Sequence, residues 1–166
     1  RRVLFRSPEV IDYPKAGDPN PLVKLGVAAV GGSLQWADFS SYGTTDILIV
    51  DVDWSPDSRN VVYQVQDREQ TWLDLDLADT TSGGGRRVLR ETTPAWVNAN
   101  GSPLWLKDGT FLWLSERNGF KHLYHYRDDG TRIRQVTNGR WEVRTLYGVD
   151  ERRGFVYFDA GARKHI

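Results

Sequence analysis

The residues able to do chemistry are few. The sequence has 166 residues, with neither cysteine nor methionine, and its three histidines are His122, His125 and His165. Absence of cysteine removes disulfides, thiolate zinc sites and thiol catalysis together. His122 and His125 form an H-x-x-H, which brings two imidazoles together on a helix but sends them to opposite faces of a strand. The strand reading makes them surface or packing histidines rather than a zinc pair. Asp51 with Asp53, and Asp74 with Asp76, each share a strand face and offer hard oxygens. A calcium loop needs about six oxygens from closely spaced turns, so solvated faces or inter-blade hydrogen bonds are the expected roles. Gly83-Gly84-Gly85 lacks the G-x-x-x-x-G-K-[ST] frame and reads as a flexible hairpin loop. No serine sits in a G-x-S-x-G turn, and nothing positions a base for a Ser-His-Asp triad. Catalytic, cofactor and metal residues are therefore all expected to be absent.

These side chains hang on an all-β pattern. Short apolar or alternating runs are cut by Gly, Asp, Asn and Pro, with no long helical period. Strands are expected at Leu22–Val30, Asp46–Trp54, Asn60–Gln66, Thr71–Leu77 and Arg86–Glu91, then at Leu104–Leu106, Phe111–Ser115, Lys121–Tyr126 and Arg132–Thr137. In Thr71–Leu77, Leu73, Leu75 and Leu77 alternate with Asp74 and Asp76, which predicts one buried and one wet face. Asp108-Gly109 and Asp129-Gly130 are tight-turn signals. Aligning the Asp57-Ser58 and Asp108-Gly109 turns gives a period of about 51, close to that of four-stranded propeller blades. Two full blades fall at about 46–137, and the partial ones either side make an open arc. Trp54, Trp72, Trp96, Trp105, Trp113 and Trp141 read mostly as blade core, with a sugar-stacking platform as the alternative. The Glu116-Arg117 tip is expected to set a turn through local hydrogen bonds.

Lys+Arg and Asp+Glu balance at 22 each, which removes a basic field for nucleic acid, and no apolar run approaches a membrane span. Arg1-Arg2-Val3-Leu4-Phe5-Arg6-Ser7 is what AGA CGT GTG CTC TTC CGA TCT encodes, a string that resembles the end of a common sequencing adapter. Residues 1–7 are therefore expected to be a translated artefact of a metagenomic read and 8–166 the native part. Without those three arginines, 19 basic residues face 22 acidic ones. With no initiator methionine, the chain is expected to be a piece of a longer protein.

Four segments carry a family resemblance: Tyr13-Pro14-Lys15-Ala16-Gly17-Asp18-Pro19-Asn20-Pro21, Trp113 through Tyr124 with Ser115-Glu116-Arg117-Asn118-Gly119, Thr137 through Val143, and Val156-Tyr157-Phe158. Together, and in this order, they resemble the N-terminal β-propeller of the dipeptidyl peptidase IV family, over Tyr13 to Ala160. The resemblance implies a parent in which an eight-bladed propeller is joined to an α/β-hydrolase domain. Such a parent removes dipeptides from peptides with Pro or Ala second, uses no cofactor, is periplasmic or secreted, and can form a homodimer. Its nucleophile elbow has no counterpart here. The family's paired glutamates lie upstream of the Tyr13 motif, and Pro8–Ile11 holds only Glu9. Trp96–Pro103 falls where some members send a loop toward the substrate pocket, but Asn98-Ala99-Asn100-Gly101 lacks the aromatic and basic residues that would carry that role over. The chain is thus expected to be a non-catalytic propeller fragment that gates peptide access to a hydrolase domain. The alternatives are a stand-alone propeller scaffold and a peptidase homologue without its nucleophile.

Overall fold

Turn chemistry divides the chain into strands of two to nine residues. In the computed structural model, which describes residues 13–161, a hairpin comes first, pairing β1 (Gly26–Ala28) with β2 (Leu34–Trp36). This is shorter than the expected Leu22–Val30 strand, because the chain turns at Ala29–Gly32 and pairing starts only at Gly26. One 3-10 turn, Ser40–Tyr42, follows. Next comes a complete antiparallel meander of β3 (Ile47–Trp54), β4 (Asn60–Asp67), β5 (Trp72–Asp79) and β6 (Gly85–Thr92). A second meander contains β7 (Leu104–Trp105), β8 (Phe111–Ser115), β9 (His122–Tyr126) and β10 (Arg132–Gln135). A last hairpin pairs β11 (Glu142–Asp150) with β12 (Phe155–Gly161). The chain is an all-β open arc of four-stranded blades, a partial β-propeller.

The two complete blades pack face to face. Val62, Leu73, Leu75, Leu77 and Val88 of the first meet Phe111, Trp113, Tyr124 and Tyr126 of the second, with Val97 of the connecting segment between them. Each large side chain buried there contributes about 1.5–3 kcal/mol. The first blade's other face is covered as well: Tyr63, Val65 and Ala78 pack with Tyr42, and Leu25, Ala37 and Phe39 pack against that group. This double coverage overturns the expected wet face of β5. Asp74 is fully buried and Asp76 nearly so, because the surface opposite the leucines faces the 3-10 turn instead of water.

The glycine loop is also less free than its composition suggests. Gly83 has φ +73°, and a Cβ there would lie 2.1 Å from the Trp36 carbonyl oxygen, while Asp38 N donates to Gly83 O. The β5–β6 turn is thus docked on the end of β2. The adapter-like residues 1–7, Glu9 and His165 lie outside the described residues.

Candidate functional site

Where the two blades meet, β6 aims Glu91 at the neighbouring blade. Its carboxylate accepts from Trp113 Nε1 at 3.0 Å and from Ser115 Oγ at 2.9 Å, and the Arg117 guanidinium closes on it from the turn after β8. Arg117 also donates through Nε to Ser115 Oγ at 2.9 Å and lies over the rings of Tyr124 and Tyr126, at 4.8 and 5.6 Å from their centroids. Glu91 is buried, so its charge is compensated by a guanidinium and two neutral donors rather than by water. The Glu116-Arg117 tip does make a local turn, with Gly119 N donating to Glu116 O. Its charged groups reach further than expected, Arg117 to the other blade and Glu116 to Asn98 Nδ2 at 3.1 Å.

The segment between the blades, residues 93–103, is held along its length. Gln66 Nε2 donates to Val97 O at 2.5 Å, and Val97 N donates to Gln70 O at 2.7 Å. Gln64 Nε2 donates to Gly101 O and to Asp51 Oδ2, each at 3.0 Å, and Ser102 Oγ donates to the same Asp51 oxygen at 2.5 Å. Asp51 thus ties its strand to the following segment, an inter-blade role the sequence reading allowed. Asp53 accepts from Trp54 N. Just before these ties Trp96 stands 62% exposed over an open cleft of about 510 Å³ that Glu116, Arg117, Lys121 and Glu142 also line. Such a cleft can bind through an aromatic face and charges of both signs. The hydroxyl of the neighbouring Ser115 donates to Glu91 and accepts from Arg117.

The histidines are separated, as a strand requires. His122 is buried, with its ring nitrogens 3.1 Å from Thr137 Oγ1 and Gly139 O and its ring edge-on to Trp141. His125 Nε2 lies 2.6 Å from Thr110 Oγ1, whose hydroxyl is also 2.6 Å from Asp108 Oδ1. That order is wrong for a charge-relay triad, since the carboxylate holds the hydroxyl instead of orienting the imidazole. Burial, with Arg134 nearby, pushes the His125 ring below its ordinary range. Of the six tryptophans expected mostly in blade cores, only Trp113 is fully buried. Trp72, Trp105 and Trp141 are partly covered, and Trp54 and Trp96 are exposed. Period-two alternation names a face but not the neighbour that covers it. Two features were missed from sequence: Glu91, an ordinary strand residue, and Tyr42, in a segment with no strand pattern.

Comparison with known proteins agrees with this architecture. Residues 5–165 match the model of the dipeptidyl peptidase IV N-terminal region. The mouse inactive dipeptidyl peptidase 10 is 27% identical over 93% of the chain and 21% of its own length. Dipeptidyl peptidase 4 of Trichophyton equinum is 28% identical over 89% of the chain and 20% of its own length. The crystal structure of Porphyromonas gingivalis dipeptidyl peptidase 4 superposes with a TM-score of 0.77 at 25% identity, covering 89% of this chain and 21% of that one. The chain spans about a fifth of the length of the relatives it matches. No helix among the described residues is long and apolar enough to cross a membrane.

Proposed function

The chain belongs to the dipeptidyl peptidase IV N-terminal region family, and on that premise we propose that it is a non-catalytic piece of the propeller of a dipeptidyl peptidase IV-like serine peptidase. In the parent the propeller is a wall and lid. It admits short or unfolded peptides to a separate hydrolase domain that supplies the serine, histidine and aspartate. The substrates are peptides with Pro or Ala second, no cofactor takes part, and the parent is secreted or periplasmic and able to dimerise. The observation that carries this reading is the bonded junction of the two blades. The Glu91–Arg117 pair and the tied segment 93–103 join the two blades into one wall of the cleft. The gene downstream of Ile166 tests it: a G-x-S-x-G turn followed by Asp and His supports the peptidase, and a stop codon after further blades supports a stand-alone scaffold.

One relative favours a second reading. The mouse protein is named an inactive dipeptidyl peptidase, so a propeller of this kind also occurs where peptidase activity does not. The same downstream sequence discriminates, since a hydrolase domain lacking the serine would mark a binding protein. We further propose that residues 1–7 are not native; amplification of the locus from source DNA is expected to give a different upstream sequence, and recovery of the same residues in frame would overturn the assignment.

A further inference from the structure

Tyr42 brings one hydroxyl proton to two carboxylates. Its Oη lies 2.6 Å from Asp76 Oδ2 and 3.1 Å from Asp74 Oδ2, and all three side chains are buried. A phenol donates one hydrogen bond and accepts others, so it cannot donate to both oxygens at once. The second contact is a hydrogen bond only if a carboxyl supplies the other proton.

The two carboxylates differ in their neighbours. Asp74 is gripped by two guanidinia: Arg90 Nε and Nη2 reach Oδ1 and Oδ2 at 2.6 and 2.7 Å, and Arg87 Nε lies 2.7 Å from Oδ2. Asp76 makes no such ion pair among the described residues. Its Oδ2 meets the Tyr42 hydroxyl, and its Oδ1 is enclosed with no hydrogen-bond partner. An ionised carboxylate so placed costs several kcal/mol, which neutralisation avoids.

We infer that Asp76 carries a proton in the folded chain at mildly acidic pH, and that this proton latches the Ser40–Tyr42 turn onto the first blade. The Asp76 carboxyl O–H donates to Tyr42 Oη, and the Tyr42 O–H donates to Asp74 Oδ2. The groups facing Asp76 are Asp74 on β5, Arg87 and Arg90 on β6, Tyr42 on the turn and Tyr63 on β4. Burial pushes the Asp76 carboxyl up to about 6 against the pull of the Tyr42 hydrogen bond; the Asp74 charge adds to the rise, and Arg87 and Arg90 oppose it. Burial and Asp76 drive the Tyr42 hydroxyl far above its ordinary range, so it keeps its proton. When Asp76 releases its proton to solvent, Tyr42 donates to Asp76 and lets go of Asp74, leaving two like charges side by side. The Tyr42 ring stacks on Trp72 at 5.6 Å and Phe39 packs on Tyr63 at 5.4 Å, so the latch also bears on how the chain before β3 is held.

Infrared spectra of the chain carrying carboxyl-labelled aspartate test the proton directly and tolerate self-association. Near pH 6, where ordinary aspartates are ionised, a protonated-carboxyl band of about half an equivalent is expected, at least about tenfold weaker near pH 8. Asp76→Asn should abolish it. Amide exchange reads the latch: protection over Ser40–Tyr42 is expected to fall at least about threefold from pH 6 to 8 in the wild type and to stay level in Asp76→Asn. Absence of the band in the wild type, its survival in Asp76→Asn, or equal loss of protection in both proteins overturns the inference.

Discussion

Glu91 and Arg117 belong to different blades, 26 residues apart, yet the guanidinium caps the buried carboxylate and lies over two tyrosine rings of its own blade. The pair therefore welds one sheet to the next, whereas Arg59–Asp57, Arg86–Asp128 and Arg153–Asp150 sit at exposed rims where such contacts contribute little.

Removing Arg117 should leave the Glu91 carboxylate buried and uncompensated, and removing Glu91 should leave the part-buried Arg117 guanidinium without its partner. Arg117→Ala and Glu91→Ala are each expected to cost about 3 kcal/mol, and the double variant little more than either single one. Urea unfolding at low micromolar concentration measures the cycle. Strictly additive losses would mean that the two side chains stabilise the junction independently. Arg117→Lys should recover only part of the loss, since an ammonium cannot match the planar fork or its stacking.

Two turn glycines separate conformational strain from packing. Gly109 and Gly130 both hold left-handed backbone, with φ +82° and +87°. A Cβ on Gly109 meets nothing within 4 Å, whereas one on Gly130 would fall 1.8 Å from the Val88 carbonyl oxygen of the adjacent blade. Gly109→Ala is expected to cost about 1 kcal/mol and Gly130→Ala about 3 kcal/mol or more. Equal urea midpoints for the two variants would show that the second turn is not seated on β6.

The Asp76 carboxyl gives stability a distinctive pH dependence. Its value rises from 3.8 to about 6 on folding, so the folded chain binds this proton more tightly than the unfolded one. The stabilisation is complete below about pH 4 and is lost as pH rises through about 6; at neutral pH the ionised group costs about 3 kcal/mol. Exposed carboxylates such as Asp79 and Asp108 act oppositely, because hydrogen bonds from Ser82 and Thr110 hold them below the ordinary range. Asp76→Asn isolates the one contribution. The variant should be more stable than wild type near pH 7.5, with the advantage shrinking as pH falls toward 4. Parallel stability curves would remove Asp76 as their source.

Most of the blade plan could be read from turn chemistry, because Asp-Gly pairs and Pro56 mark chain reversals through local backbone constraints. What decided the sites was not local. Asp74 and Asp76 alternate with leucines as a half-wet strand would, and it is the upstream chain, with Tyr42 more than thirty residues away, that makes that second face interior. Glu91 carries no motif either, since its partners Trp113, Ser115 and Arg117 come from a different sheet. Trp96 is exposed because the hydrogen bonds at Val97 hold the backbone while the ring faces the cleft.

The final hairpin should make the chain self-associate. Tyr147, Phe155 and Tyr157 are more than half exposed, and β12 has no neighbour on its outer side among the described residues. An unpaired edge beside an aromatic face is a template for another chain. Gel filtration with light scattering is expected to show mass rising with concentration, and Phe155→Lys combined with Tyr157→Lys to reduce it. A compact monomer at every concentration would mean that the edge is protected.

The chain alone should be inert toward peptides. Acyl transfer needs a serine whose hydroxyl faces an imidazole that is itself oriented by a carboxylate, with donors for the oxyanion nearby. Ser102 instead donates to Asp51, Ser115 donates to Glu91, and His122 and His125 are spent on Thr137, Gly139 and Thr110. Ser33 lies in the exposed turn of the first hairpin, with no histidine among its hydrogen-bond partners in the described residues. A Gly-Pro or Ala-Pro chromogenic amide should be hydrolysed no faster than in buffer, and a fluorophosphonate should label no serine. A parent with an intact hydrolase domain should do both. Stoichiometric labelling of Ser33, Ser102 or Ser115 in the isolated chain would show that the catalytic unit lies within these blades and that the separate hydrolase domain is not needed.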